Sequence, residues 1–384
     1  MRLAGRKVAV FLPNLSGGGA ERISVNLVNE LVSRGYLVDL LLMEERGPFI
    51  SLLNPRVNLV NLKVDRMYRV LPSLISYLRM ENPVVMLACM WPLTLITLLA
   101  VKLSFLNTRI IFAEHITWSE SRVEYGKFLR FLIPMTMKFF YPYANGVVAV
   151  SEAAAKDLAS YADLPASSIT TIYNPVVDAA STRDGEIGLP GIDIWLRAPF
   201  RILTVGHLKE QKNHELLLKA FALVLKVKDA HLLILGEGQL RGKLEGCINE
   251  LGISKSISMP GFVDNPYPYY RRASLFVLSS DWEGLPTVLI EALSEGVPIV
   301  STDCPSGPRE ILSDGLFGGL VQRGDPVALA EMVLDSLATK HDSAALKGRA
   351  EFFSIRRSVD SYEELFFPSL GNSNSPISKT DYKR

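Results

Sequence analysis

The sequence predicts an α/β protein made of two doubly wound domains of similar size, facing each other across a cleft. Short apolar, β-branched runs alternate with longer amphipathic segments along the 384 residues, the pattern of parallel sheets covered by helices on both faces. The alternation restarts once, after residues 175–200, "PVVDAASTRDGEIGLPGIDIWLRAPF", a stretch rich in Pro, Gly and Asp without a sustained period. Such a stretch reads as an interdomain connection. The length suits two or three domains, each able to bury a core.

In the first half the strand candidates are Val8–Leu12, Val38–Met43, Val57–Leu62, Val84–Cys89, Arg109–Ala113 and Gly146–Val150. In the second half they are Arg201–Val205, His231–Leu235, Ser256–Met259, Leu275–Ser279, Val297–Ser301 and Gly319–Val321. Helices lie between them. Ile23, Leu27, Val28, Leu31 and Val32 form one apolar stripe that Gly35 ends as a C′ residue; Leu216, Leu217, Ala220, Phe221 and Val224 form another. Asp325-Pro326 is an N-cap followed by Pro at the first helical position. The expected division is an N-terminal domain over 1–178, a connection over 179–200, a C-terminal domain over 201–352, and a last helix with a disordered polar tail over 353–384.

Composition excludes several classes. The balance of 41 basic and 40 acidic residues, a net +1, gives no global argument for nucleic-acid binding. Cys89, Cys247 and Cys304 are odd in number and far apart, and the five histidines show no metal-ligand spacing, so disulfides and a metal centre are not expected. "MRLAGRKVAVFLP" has a short apolar run that reads more simply as a first strand than as a signal peptide. Val84–Val101 has 18 uncharged residues, the lower limit for a membrane span, but Pro92 divides it. A buried strand followed by a helix starting near Pro92 explains the same residues.

In doubly wound domains, ligands bind beyond the carboxyl ends of the strands. After the first strand comes "PNLSGGGAER", with Gly17–Gly19 ahead of a helix starting near Ala20. Two readings fit, a backbone cradle for an anion or a tight turn. Arg22 stands where G-x-G-x-x-G needs its last glycine, and no Gly-Lys-Ser/Thr follows, so an NAD or P-loop ATP site is disfavoured. After the first strand of the second half comes "VGHLKEQKNH", where His207, Lys209, Lys212 and His214 flank a helix start. This segment is either a phosphate site or a solvated basic turn. "LGEGQL" permits close backbone approach, and "PGFVDN" is either an ordinary turn or a loop able to read a flat base edge.

The segment "SSDWEGLPTVLIEAL" spans residues 279–293. Pro286 is expected at the first position of a helix running to about Ser294, with Glu283 in the loop before it and Glu291 inside it. A helix carboxylate at a cleft can accept two hydrogen bonds from a vicinal diol. The free N–H groups of Gly284, Leu285, Pro286 and Thr287 (proline excepted) would face phosphate oxygens. Leu289, Ile290, Ala292 and Leu293 surround Glu291 with apolar neighbours and weaken the reading of an exposed helix residue.

Taken in order, "SGGGAER", "EHITW", "IYNPV", "VGHLKEQKN", "LGEG", "GFVDNP", "EGLPTVLIEAL" and "STDCPSGPREIL" resemble the retaining glycosyltransferases of the GT-B fold, glycosyltransferase family 4, over nearly the whole chain. The E-x7-E from Glu283 to Glu291 is the most specific of these motifs. The resemblance implies an enzyme that moves a hexosyl or N-acetylhexosaminyl group, with retention, from a nucleotide-sugar donor, favoured as a UDP-sugar, to a glycan or lipid-linked saccharide. It implies that Glu291 holds the ribose, Glu283 the donor sugar, Lys212 the diphosphate, and Gly18 and Gly19 the diphosphate from across the cleft. His115 would sit at the reaction centre, and Phe262 and Val263 against the base. His207 departs from the arginine common in the family, which throws more weight on Lys212. Neither metal nor cofactor is expected. The competing readings are a GT-B nucleotide-sugar epimerase, a transferase with a small soluble acceptor, and a non-catalytic sugar-nucleotide-binding subunit of a glycan-assembly complex.

Residues 122–143, "RVEYGKFLRFLIPMTMKFFYPY", interleave Arg122, Lys127, Arg130 and Lys138 with Phe128, Phe131, Phe139, Phe140 and Tyr141. This is either a helix lying on an anionic bilayer or one packing its aromatic face on the N-terminal domain, with Pro134 interrupting it. With the family context, the expected location is cytoplasmic, at the inner face of a bacterial inner membrane.

Overall fold

The computed structural model describes residues 6–16, 18–121, 125–177 and 192–368. Strands β1 (Lys7–Leu12), β2 (Leu37–Leu42), β3 (Asn58–Asn61), β4 (Val85–Cys89), β5 (Arg109–Glu114), β6 (Gly146–Ala149) and β7 (Ile169–Thr171) form one parallel sheet in the order β3-β2-β1-β4-β5-β6-β7. Strands β8 (Phe200–Val205), β9 (Ala230–Leu235), β10 (Ile257–Gly261), β11 (Leu275–Leu278), β12 (Ile299–Thr302) and β13 (Gly319–Val321) form a second, in the order β10-β9-β8-β11-β12-β13. Both are Rossmann-like sheets wound outward from their first strand. The order reverses between β1 and β4 and again between β8 and β11, and a crevice opens at each reversal.

All twelve expected strands are present, with ends shifted by a residue or two. The short strand β7 lies outside those expectations. It has three residues, pairs only with β6, and buries only Ile169 fully, so its sequence lacks the long apolar run of a central strand. Val84–Val101 resolves into β4 and the helix Leu93–Ser104, with Pro92 at its N-cap. Among the described residues no helix is long and apolar enough to cross a membrane. Gly35, at φ 92°, follows the helix Gly19–Ser33, and Asp325 caps the helix Pro326–Ala338 with its side chain. The three cysteines are free.

Two expectations about proline are corrected. Pro286 is the N-cap of the helix Thr287–Ser294 rather than its first residue, because its ψ of 98° is still extended. The helix Lys127–Phe140 runs through Pro134 without interruption. The ring removes one bond to the carbonyl of Arg130, while Ile133 and Met137, fully buried on the inner face, hold the turns on either side.

The domains are tied at the seam by more than the connection. Part of that connection, with the polar tail, residues 1–5, Gly17 and Arg122, lies outside the described residues. Its last part forms the helix Asp193–Arg197, where Trp195 is fully buried and donates to the carbonyl of Ile202 at 3.0 Å. The chain then crosses back: Val177 bridges to Ser354, and the helix Ile355–Phe366 packs on the N-terminal domain. Val359, Tyr362 and Phe366 join the core formed by Val10, Leu31 and Val85. Arg34 clamps the same helix through Asp360 at 2.6 Å and Glu363 at 2.8 Å. Glu310 from "PSGPREIL" accepts the N–H groups of Glu152 and Ala153, at 2.9 and 2.7 Å, capping the helix Glu152–Tyr161 of the opposite domain.

Phe366 is 1 % exposed in that docked helix. Phe366→Ala is therefore expected to cost about 3–5 kcal/mol by opening a cavity, measured by urea denaturation. An unchanged midpoint would mean that the helix does not anchor the N-terminal domain.

Candidate active site

A cavity of about 620 Å³ lies between the two switch points. The thirteen residues expected to hold donor or acceptor line it: Gly18, Gly19, His115, His207, Lys212, Phe262, Val263, Glu283, Gly284, Leu285, Pro286, Thr287 and Glu291. Lys209 lines it as well. His214, grouped with these cations in the sequence, does not. It opens the helix His214–Val224, is 3 % exposed, and turns into the core.

The loops after β8 and β11 are neighbours because those strands pair. Hydrogen bonds lace them together. The amide of Asp281 donates to the carbonyl of Gln211 at 2.9 Å, the Gln211 side chain donates to the Trp282 carbonyl at 2.7 Å, and the Asn213 amide donates to the Asp281 carboxylate at 3.0 Å. This lacing brings Lys212 Nζ to 2.6 Å from Glu283 Oε1, and Ser280 donates to the same oxygen at 2.6 Å. Glu283 is 6 % exposed. A carboxylate so buried is tolerated because it is paired and hydrogen-bonded. Lys212 is thereby held at the cavity wall rather than ranging through solvent.

Glu291 sits on the helix Thr287–Ser294, 5 % exposed, and its Oε2 accepts from the Tyr270 hydroxyl at 3.0 Å. Burial and the Glu291 charge push the Tyr270 phenol well above its ordinary value. It therefore stays protonated and remains a donor, fixing the rotamer of Glu291.

The N-terminal domain meets this segment by backbone contact. A Cβ on Gly284 would lie 2.1 Å from the His115 carbonyl oxygen, so only glycine allows the two loops this close. Thr117 donates to the Glu283 carbonyl, Ser306 to the Gly284 carbonyl at 2.8 Å, and Ser151 to the same carbonyl at 3.2 Å. Both ring nitrogens of His115 are sealed from solvent and have no hydrogen-bond partner among the described residues. Burial lowers its pKa to about 4, so at neutral pH the ring is a neutral imidazole, and the residue borders the cavity. An unpaired buried polar group is costly unless a ligand pairs with it.

Several lining residues were not singled out in the sequence. Glu21 follows the glycines; burial raises its pKa, while His207 and Lys209 across the cleft oppose that rise. Arg22 crosses the cleft to donate to the Asp264 carbonyl at 3.1 Å. Trp91, Trp118 and Tyr125 make an aromatic wall on the N-terminal side, with Trp118 and Tyr125 stacked at 6.2 Å. The motifs "SGGGAER" and "EHITW" contain Glu21, Arg22 and Trp118, without a site role assigned to them. Behind the wall, Glu114 is 1 % exposed and accepts from Tyr141 and from Trp118 Nε1, the latter at 3.2 Å. Burial raises its carboxyl to about 7 despite these donors. Among the described residues, no group of three or more His, Cys, Asp or Glu side chains is placed to hold a metal ion.

Two facing Rossmann-like domains of seven and six parallel strands, with a cavity at their seam, are the architecture of the GT-B class. Residues 17–179 match Glycosyltransferase Family 4 and residues 197–351 match Glycosyl transferases group 1. The chain is 31 % identical over 335 residues, 83 % of its length and 86 % of the relative's, to a Campylobacter jejuni enzyme. That relative is the N-acetylgalactosamine-N,N'-diacetylbacillosaminyl-diphospho-undecaprenol 4-alpha-N-acetylgalactosaminyltransferase. The lipopolysaccharide outer core galactosyltransferase WaaB superposes with TM-score 0.70 at 21 % identity, covering 94 % of this chain and 99 % of that one. Anabaena HepE in complex with UDP-glucose superposes with TM-score 0.76 at 16 % identity, covering 93 % and 98 %. The chain belongs to the group 1, family 4 glycosyltransferases.

The buried acid behind the wall gives a pH signature. The Glu114 carboxyl rises from 4.5 to about 7 on folding, so between those values the native state holds the extra proton. Its contribution to stability therefore falls as pH rises through that window. His115 and His214, both lowered to about 4, act in the opposite sense and lose stability as pH falls from 6.5 toward 4. For Glu114→Gln, the melting temperature relative to wild type is expected to climb steadily from pH 4.5 to 7. A difference that stays flat across this range would rule out a buried, titrating Glu114.

Proposed function

We propose that this chain is a retaining glycosyltransferase moving a hexosyl or N-acetylhexosaminyl group from a UDP-sugar to a glycan or lipid-linked saccharide in cell-surface polysaccharide or glycoconjugate assembly. The observation that carries the reading is the convergence of Glu291, the Lys212–Glu283 pair and the partnerless imidazole of His115 on one interdomain cavity. In this reading Glu291, steadied by Tyr270, grips the ribose diol. Phe262, 41 % exposed at the rim, and Val263 face the base. Lys212, His207, Gly18, Gly19 and the N–H groups ahead of the helix Thr287–Ser294 take the diphosphate. Glu283 accepts a hydroxyl of the donor sugar while it orients Lys212.

The chemistry follows from these places. The bond from the anomeric carbon to the diphosphate oxygen breaks as the acceptor oxygen bonds to the same face of that carbon. The acceptor proton passes to the departing phosphate oxygen, and Lys212 and the loop amides stabilise the charge on the leaving group, a preorganised electrostatic role. Neutral His115 pairs with a sugar or acceptor hydroxyl at the reaction centre. The positive groups already on the protein make the transfer metal-independent. The undecaprenol-linked substrate in the Campylobacter relative's name and the UDP-glucose in the HepE complex support a lipid-linked acceptor and a uridine donor. We place the reaction at the cytoplasmic face of the inner membrane, with the enzyme attached peripherally.

A panel of UDP-, GDP- and other sugar nucleotides, read by donor hydrolysis and by calorimetry, tests the donor. Glu291→Ala is expected to weaken UDP binding by at least about tenfold, the loss of a charged hydrogen-bond acceptor. Normal binding and turnover in that variant would remove Glu291 from the site. Transfer is expected to persist in EDTA, and its abolition, restored by added divalent cation, would overturn metal independence.

A further inference from the structure

The helix Lys127–Phe140 has two apolar faces, and only one is used. Ile133 and Met137 are fully buried, and Thr136 is tied to Trp91 Nε1 at 3.2 Å. On the other side, Phe128, Phe131, Met135 and Phe139, at spacings of three, four and four residues, share one outward stripe. Phe128, Phe131 and Phe139 are 74 %, 68 % and 62 % exposed. The neighbouring helix Leu93–Ser104 packs beside this one and adds exposed Leu99 and Leu103, with Phe105 at its end 88 % exposed. Three bulky aromatic rings in one helical row, turned to water, amount to an apolar face without a partner.

Its charge is equally one-sided. Lys127, Arg130 and Lys138 are all exposed and lie to one side of the stripe, and the helix has no acidic residue. Lys138 is paired with Asp163 at 2.6 Å, and Arg130 Nε donates to the Tyr125 carbonyl at 2.8 Å. Lys102, exposed on the neighbouring helix, adds a further cation. Aromatic side chains on the outward face, with basic residues along one edge, are the pattern of a helix lying in the plane of an anionic membrane surface.

We propose that the outward face of the helix Lys127–Phe140, extended by Leu99, Leu103 and Phe105, is the seat of this protein on an anionic phospholipid bilayer. The position has a consequence for the cavity. Tyr125 leads into the helix and Trp91 is bonded to its middle, and both rings line the aromatic wall beside His115. A bilayer on this face therefore holds that end of the cleft at headgroup level, where a diphosphate-linked saccharide stands out from its lipid. The seat needs no assumption about donor or chemistry; its use to deliver the acceptor rests on the lipid-linked acceptor proposed above.

Co-sedimentation of the full chain with phosphatidylcholine vesicles, with and without phosphatidylglycerol, tests this in the absence of donor and acceptor. Wild type is expected to sediment with the anionic vesicles and to stay largely in solution with the neutral ones. Phe128→Ser/Phe131→Ser/Phe139→Ser is expected to lose binding to both. Lys127→Gln/Arg130→Gln is expected to bind anionic vesicles about tenfold more weakly while keeping its weak affinity for neutral ones. Unchanged UDP affinity and melting temperature confirm that each variant is folded. Wild type indifferent to phosphatidylglycerol, or a triple variant that sediments like wild type, would overturn the proposal. So would a wild-type dimer by light scattering that the triple variant makes monomeric without vesicle binding, which would assign the face to a second copy of the chain. Because no substrate is present, a failure here leaves the transferase reading standing, and a failed transfer assay leaves the seat standing.

Discussion

The close approach of Gly284 to the His115 carbonyl is the constraint around which the two domains are arranged. Neither loop could come so near if residue 284 carried a side chain. Around this point Thr117, Ser151 and Ser306 all donate to backbone carbonyls of Glu283 or Gly284. These are short side chains bonding to main chain, so they set backbone position with little loss of rotamer freedom. The result is that His115 from one domain and a carboxylate–ammonium pair from the other border the same cavity.

The charges in that space are held in ways that differ in energetic logic. Lys212 and Glu283 offset each other's burial, and Ser280 takes part of the remaining hydrogen-bonding capacity. Glu291 relies on a neutral donor, Tyr270. Glu114 has neutral donors too, but burial outweighs them, and its carboxyl moves to about 7. The ring nitrogens of His115 have no partner among the described residues. Burial is progressively less well compensated from Glu283 to His115, whose ring nitrogens are left unsatisfied among the described residues.

The frame that holds these groups extends well beyond the cleft. The last helix returns to the first domain and is buried through Tyr362 and Phe366, so the C-terminal part of the chain is shared between both halves. Glu310 caps a helix of the opposite domain through two backbone N–H groups. Just past the glycine turn after β1, Arg22 reaches Asp264 of the other domain. The two halves are thus fastened by a packed helix and a shared cap, and bridged again by a long side chain at the cavity.

Much of this was legible in the sequence. Parallel strands buried on both faces read as continuous apolar runs, so twelve of the strands stand out from residue pattern alone. Glycine-rich and basic turns placed after those runs pointed to the strand ends, where doubly wound folds bind ligands, and the thirteen residues that the turns, the helix carrying Glu291 and the family resemblance assign to the site line one cavity. The sequence did not reveal pairings between segments far apart in the chain. Tyr270 serves Glu291 from 21 positions away, Lys212 meets Glu283 because β8 and β11 are adjacent, and Glu114 is shut in by a tyrosine 27 positions on. The same limit explains His214 turning into the core, Pro134 being carried inside a helix, and β7 escaping notice as a three-residue edge strand. Local period and residue type determine where strands, helices and reactive turns lie along the chain. Which of them touch, which carboxylates are sealed from water, and which aromatic face is left outside depend on packing between distant segments, and only the tertiary structure decides that.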